Sequence, residues 1–198
     1  MIAPIKGLGK ILGILGLIFF LNENAIAKTY TIDSQHSSIG FAVKHLMISM
    51  TTGQFNKFEG TIDFNPEDLA ATQIVVTLQA SSIDTNVEDR DNHLRSPDFL
   101  DVANHPTLTF KSTQVQVEGD GYLIIGDLTI RGTTKSISIP CTITGPVESP
   151  FGGKVIGISG KTSINRQDFG VSWNKALEAG GWVVSTEVQI TVNVEAKE

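Results

Sequence analysis

The last strand-like stretch of the chain alternates without a break. Val188, Ile190, Val192 and Val194 interleave with Glu187, Gln189, Thr191, Asn193 and Glu195. A period of two puts all the apolar side chains on one face of an extended segment, a pattern no helix tolerates. The same period recurs upstream, in Ile39, Phe41 and Val43, in Ile74, Val76 and Leu78, in Leu108 and Phe110, and in Ile137, Ile139, Cys141 and Ile143. Further strands are expected over 55–64, 122–130 and 155–164, which makes about eight. Glu118-Gly-Asp-Gly121 and Arg131-Gly-Thr-Thr134 are hairpin turns. Short turns between such strands dictate an antiparallel meander in one domain, arranged as a sandwich or closed into a barrel. Eight strands closed on themselves enclose room for one small ligand and leave no exposed edge. Pro140, within a strand, marks an edge or a bulge.

Three stretches depart from this pattern. Asn65-Pro66-Glu67-Asp68 reads as a capped helical turn, and 165–181 is irregular with apolar points at Phe169, Trp173 and Leu177. The third, Thr85 to Phe110, carries a helical insertion. Thr85-Asn-Val-Glu88 has capping-box spacing, and Ser96-Pro97-Asp98 reads as a second helix start. Val87 and Leu94 mark its apolar face, and Arg90 and Asp91 share that face. Charges so placed must find partners or line a polar pocket.

Lys6 and Lys10 precede the apolar run Ile11 to Leu21, and Ala25-Ile-Ala27 supplies a small-x-small cleavage pattern. Residues 1–27 therefore read as a cleaved signal peptide, and 28–198 as one exported, periplasmic domain. Of 15 basic and 21 acidic residues, Lys6, Lys10 and Glu23 fall in the leader. The remainder holds 13 and 20, a net charge of −7. With no basic run, this balance excludes nucleic acid as a partner. Cys141 is the only cysteine, so no internal disulfide forms and a packed core must carry stability.

An ordered series of short motifs goes further than periodicity. Tyr30-Thr-Ile-Asp33, His36-Ser37, Phe41 with His45, Gly53-Gln-Phe55 and Phe58-x-Gly60 resemble the start of the YceI-like, polyisoprenoid-binding family. Arg90-Asp91-x-His93-Leu94, Phe99, Pro106-x-Leu-x-Phe110-x-Ser112, Gly126-x-Leu128-Thr129-Ile130-x-Gly132 and Arg166-x-Asp168-Phe169-Gly170 resemble its later motifs, in order. The resemblance implies an all-β fold, an extended eight-stranded antiparallel β-barrel like a lipocalin, with a helical insertion. It implies an apolar interior holding an isoprenoid or other long-chain lipid, no further cofactor, transient membrane contact, a homodimer and no established catalytic reaction.

On that basis the ligand-binding candidates are His36, Phe41, His45, Phe58, Phe64, Arg90, Phe110, Ile130 and Trp182. Arg90 has two readings: an ion pair pinning the helix, or a mouth residue holding a phosphate or quinone oxygen. The histidines His36, His45, His93 and His105 lack metal-site spacing and read as hydrogen-bonded rim or structural groups. The alternative function is a small hydrolase or isomerase built on Arg90, Asp91 and His93. Asp33, Asp91, Asp98, Asp101 and Asp168 offer acid/base partners, but no serine or cysteine stands in a nucleophile context.

Overall fold

A computed structural model describes residues 27–178 and 180–198. The signal-peptide reading of residues 1–27 falls almost wholly outside them. Eleven strands form one antiparallel sheet: β1 (Lys28–Ile32), β2 (Ser38–His45), β3 (Ser49–Phe55), β4 (Phe58–Phe64), β5 (Gln73–Gln79), β6 (Ile83–Asp84), β7 (Thr107–Glu118), β8 (Gly121–Ile130), β9 (Thr133–Glu148), β10 (Lys154–Asn165) and β11 (Val184–Lys197). Three pairs are single long strands interrupted in the middle. β1 and β2 run along β11 in succession, β3 and β4 run along that pair, and β5 and β6 along the next. Counted so, eight strands follow one another around a ring. The ring closes along β11, where β1 pairs at Thr31 with Lys197 and Ile32 with Ala196 and β2 pairs from Ser38 with Asn193 to His45 with Val184. The alternation therefore resolves as a barrel, with one row of each strand inside.

The turns follow their residues. Gly119 and Asp120 join β7 to β8, and Arg131 and Gly132, both at positive φ, join β8 to β9. The Asn65 side chain accepts from the N–H groups of Glu67 and Asp68 at 3.0 and 3.2 Å, and one 3₁₀ turn (Leu69–Ala71) follows. Pro140 stands where the β9–β10 ladder stops, after Cys141 pairs with Gly160. Its missing N–H costs no bond on that side.

The interior has two parts. At the end where β1 starts and β11 finishes, Tyr30, Phe64, Val115, Ile156 and Ala196 are buried and form a solid plug. Toward the other end the inward positions of β11 pass from buried, at Val194, to half-buried, at Val192, Ile190, Val188 and Val184. That end carries α1 (Glu88–Arg95), the 3₁₀ turn Arg166–Phe169 and the irregular segment beyond it.

The helical insertion differs from its sequence expectation in three respects. Thr85 forms no capping box. Val87 is the N-cap with no side-chain cap bond, and the Thr85 N–H and hydroxyl both donate to Asp91 Oδ1, at 2.9 and 2.5 Å. The buried Asp91 carboxylate takes the hydroxyl proton, and Arg90 Nε donates to the hydroxyl oxygen, the acceptor that Glu88 N–H would have used. Val87, extended just ahead of the helix, is 46% exposed, so Leu94 alone faces inward. Ser96 closes α1 instead of starting a second helix. Its hydroxyl donates to the His93 carbonyl and, as a cap would, accepts from the Asp98 N–H at 3.3 Å, while its own carbonyl accepts from the Phe99 and Asp101 N–H groups, so the cap forms but only a turn follows.

Candidate functional site: an apolar barrel cavity

Between the plug and α1 the barrel encloses a cavity of about 230 Å³. Its wall comes from almost every strand: Phe41 and Val43 on β2, Phe55 on β3, Val76 and Leu78 on β5, Phe110 on β7, Leu128 and Ile130 on β8, and Ile190 and Val192 on β11. Leu94, Phe99, Leu100 and Phe169 close it at the α1 end. Two glycines make room for its aromatic rings. A Cβ at Gly53 would lie 2.5 Å from Phe41 Cζ, and one at Gly126 would lie 2.5 Å from Phe110 Cζ. Each ring lies across the neighbouring strand where no side chain stands, which flattens both phenylalanines against the wall and leaves the centre open.

A space with walls of this kind does not fill with water, which needs two to four polar partners at each position. Left empty it forfeits dispersion contacts, at about 24 cal/mol per Å³, or on the order of 5 kcal/mol for this volume. That is comparable to the whole stability of a small domain. A flexible apolar chain recovers those contacts.

Of the sequence candidates, Phe41, Phe110 and Ile130 line the cavity together. Phe64 belongs to the plug, and Phe58 packs against the core from the end of β4. His36 sits outside the barrel, its Nδ1 2.7 Å from Asp33 Oδ2. His45 ends β2, opposite Ser49 and Val184. Trp182 is 51% exposed beside the hairpin joining β2 to β3.

Arg90 is absent from the cavity wall. Its Nε donates to Thr85 Oγ1 at 2.7 Å and its Nη2 to the Thr85 carbonyl at 2.8 Å. The guanidinium thus clamps the residue that Asp91 also holds. His93 Nε2 is 2.9 Å from Asp98 Oδ2, and its ring meets Phe99 and Trp173 edge-on at 4.9 and 5.0 Å. Arg90 and Asp91 are engaged with Thr85 and His93 with Asp98, and none of the three lines the cavity.

Among the described residues, the charged side chain on the cavity wall is Arg166, which belongs to the Arg166-x-Asp168-Phe169-Gly170 motif and is not among the ligand-binding candidates. Asn165 caps the 3₁₀ turn by accepting from Gln167 N–H at 3.0 Å, and Gly170 ends it in the left-handed region at φ 76°. Between them Arg166 and Phe169 turn inward and Asp168 outward. The signal was available: one arginine at a strand end, two residues ahead of Asp168-Phe169-Gly170.

The YceI-like domain matches residues 30–196. The chain belongs to the YceI-like family. A UPF0312 protein of Pseudomonas aeruginosa is 39% identical over 183 residues, 91% of this chain and 93% of its own length. The crystal structure of BcnA from Burkholderia cenocepacia has the same fold, with a TM-score of 0.74 at 24% identity over 84% of this chain and 99% of that one. A polyisoprenoid binding domain from Saccharophagus degradans, implicated in plant cell wall breakdown, superposes with a TM-score of 0.61 at 15% identity, covering 87% and 98%. The sequence-derived expectations of family and of a closed eight-stranded barrel are thereby met.

Proposed function

We propose that this YceI-like protein is an exported carrier or store for a long-chain isoprenoid, held in the barrel cavity. The observation that carries the reading is the cavity itself, about 230 Å³ of apolar space in a barrel whose far end is packed solid. Burial contributes about 0.8 kcal/mol per CH₂, so a chain of a few isoprene units binds tightly without polar contacts. The structural relative described as a polyisoprenoid binding domain supports the same class of ligand.

Transient membrane contact fits the hairpin between β2 and β3. Leu46 and Met47 both take positive φ, 49° and 61°, a conformation that suits Asn or Gly and strains bulky residues. Ile48 at the tip is 81% exposed. The Leu46 N–H donates to the Val183 carbonyl at 2.8 Å, which sets exposed Trp182 beside the tip and next to the cavity wall at Val184. Strain that exposes apolar residues next to a lipid cavity suits a tip that enters a bilayer. An isoprenoid insoluble in water must be collected there.

Mass spectrometry of organic extracts from the purified protein tests the reading. A carrier yields isoprenoid at about one equivalent per barrel. Protein that comes lipid-free from its own cells, and that takes up none when offered, contradicts it.

A further inference from the structure

Arg166 is the one charged residue among those lining the cavity, and it is 5% exposed. Its Nε donates to the Ser185 carbonyl at 2.9 Å and its Nη1 to the Val171 carbonyl at 2.7 Å. Its Nη2 is buried and donates to nothing. No carboxylate among the described residues forms an ion pair with it. The two carbonyls supply dipoles but no charge, and a guanidinium in a protein keeps its proton. An uncompensated positive charge with an unused donor therefore stands against an apolar cavity. Such an arrangement is costly as it stands, because the desolvated charge lacks both a counter-ion and a bond. Other buried polar groups of this fold are satisfied: Asp91 by Thr85, and Ser112 by the Ile74 N–H.

We infer that Arg166 is the subsite for the polar end of the cavity ligand, and that this end is an anionic oxygen group, a phosphate or carboxylate on a long apolar chain. The inference rests on the carrier reading and specifies the head group. A neutral carbonyl would occupy the free Nη2 and leave the charge uncompensated, whereas an anion answers both. Position agrees. Arg166 lies at the α1 end beside Val171 and Val184, and the plug of Tyr30 and Ile156 lies at the other. A bound amphiphile has its head at Arg166 and its tail pointing toward the plug.

The test uses delipidated protein and three prenyl chains of one length, ending in a monophosphate, a hydroxyl or no polar group. Wild type binds the monophosphate roughly tenfold or more tightly than the alcohol, the scale of a charged hydrogen bond. In Arg166→Met, similar in length and apolar, that preference collapses while hydrocarbon affinity stays within about threefold. Should this variant fail to fold, side-chain ¹⁵N resonances of Arg166 in wild type decide the matter, shifting with the monophosphate and not with the hydrocarbon. A monophosphate no tighter than the alcohol, or Arg166 resonances that ignore the head group, overturns the subsite. In that event hydrocarbon binding still upholds the carrier reading. Failure of all three chains to bind removes the carrier reading, and the subsite with it.

Discussion

Lys197 donates its ammonium to Asp33 Oδ2 across the seam that closes the barrel. β1 meets β11 there in two residue pairs, and Asp33 extends that contact toward the β2–β11 ladder by donating its N–H to the Glu195 carbonyl at 2.9 Å. The Lys197 ammonium, then the His36 ring, then the Gln35 N–H hold the Asp33 carboxyl well below the usual carboxylate range. This cluster also includes Glu195, and with an ammonium in its midst it has the character of an ion-pair latch.

A carboxyl lowered in the folded state stabilises the fold at every pH above its unfolded value, about 3.9. That contribution disappears as pH falls through the folded value. Asp33→Asn should therefore lower the urea midpoint at neutral pH, and its gap from wild type should close progressively below about pH 4. Midpoints measured from pH 7 to pH 2 check this. A gap that persists unchanged into acid would show that the carboxylate charge is not what holds the seam.

Thr85 is the node of the insertion, donating to Asp91 and accepting from Arg90. Thr85→Val keeps the shape and removes the hydroxyl, which leaves Asp91 with the Thr85 N–H alone and Arg90 Nε without an acceptor. The expected loss is about 1–3 kcal/mol in a denaturant melt, with chain affinity unchanged, because neither partner lines the cavity. A Thr85→Val protein of wild-type stability and weakened lipid binding would restore Arg90 to the ligand.

These two clusters show what the sequence discloses and what it withholds. The alternation at Val188 to Val194 announces a strand, because side-chain direction follows directly from residue number. The ordered motifs then carry the choice of barrel over sandwich. Thr85 with Glu88 and Ser96 with Pro97 have cap spacing, yet Thr85 bonds Asp91 and Arg90 instead, and Ser96 takes the Asp98 N–H with only a turn following. A cap signal states only which groups are available locally, and at Thr85 the Asp91 carboxylate and the Arg90 guanidinium take the hydroxyl from both sides. Phe64 and Phe110 look alike in sequence, both inward on strands, and only the positions of the plug and cavity separate them. Arg166 hides for the same reason, since its burial depends on Val171 and Ser185 meeting it through the fold.

Cys141 lies mid-strand between Tyr122 and Gly160, and burial pushes its thiol up to about 11. At pH 8 the folded protein should react with iodoacetamide about a hundredfold more slowly than the urea-unfolded chain, which has an ordinary thiol. Labelling rates in the two states, read by intact mass, check this. Equal rates would mean that the β8–β9–β10 wall opens readily.

The hairpin tip should govern delivery, not affinity. Replacing Met47 and Ile48 with serine should slow transfer of bound isoprenoid to phospholipid vesicles by several-fold, since each exposed apolar side chain contributes about 1–3 kcal/mol on entering a bilayer. The equilibrium affinity in solution should hold, because neither residue lines the cavity. Unchanged transfer kinetics would place membrane contact elsewhere on the barrel.

The central claim, that the barrel interior is a binding space for a long apolar chain, is tested most directly by affinity against chain length. Isoprenoid alcohols from about two to about eight units should bind progressively more tightly, at roughly 0.8 kcal/mol per buried CH₂, until the cavity is full. Beyond that length the curve should level off. Ile158→Phe, which adds bulk to the wall, should bring the plateau to a shorter chain. An affinity that is flat across the series in wild type, with no plateau to move, would contradict the account.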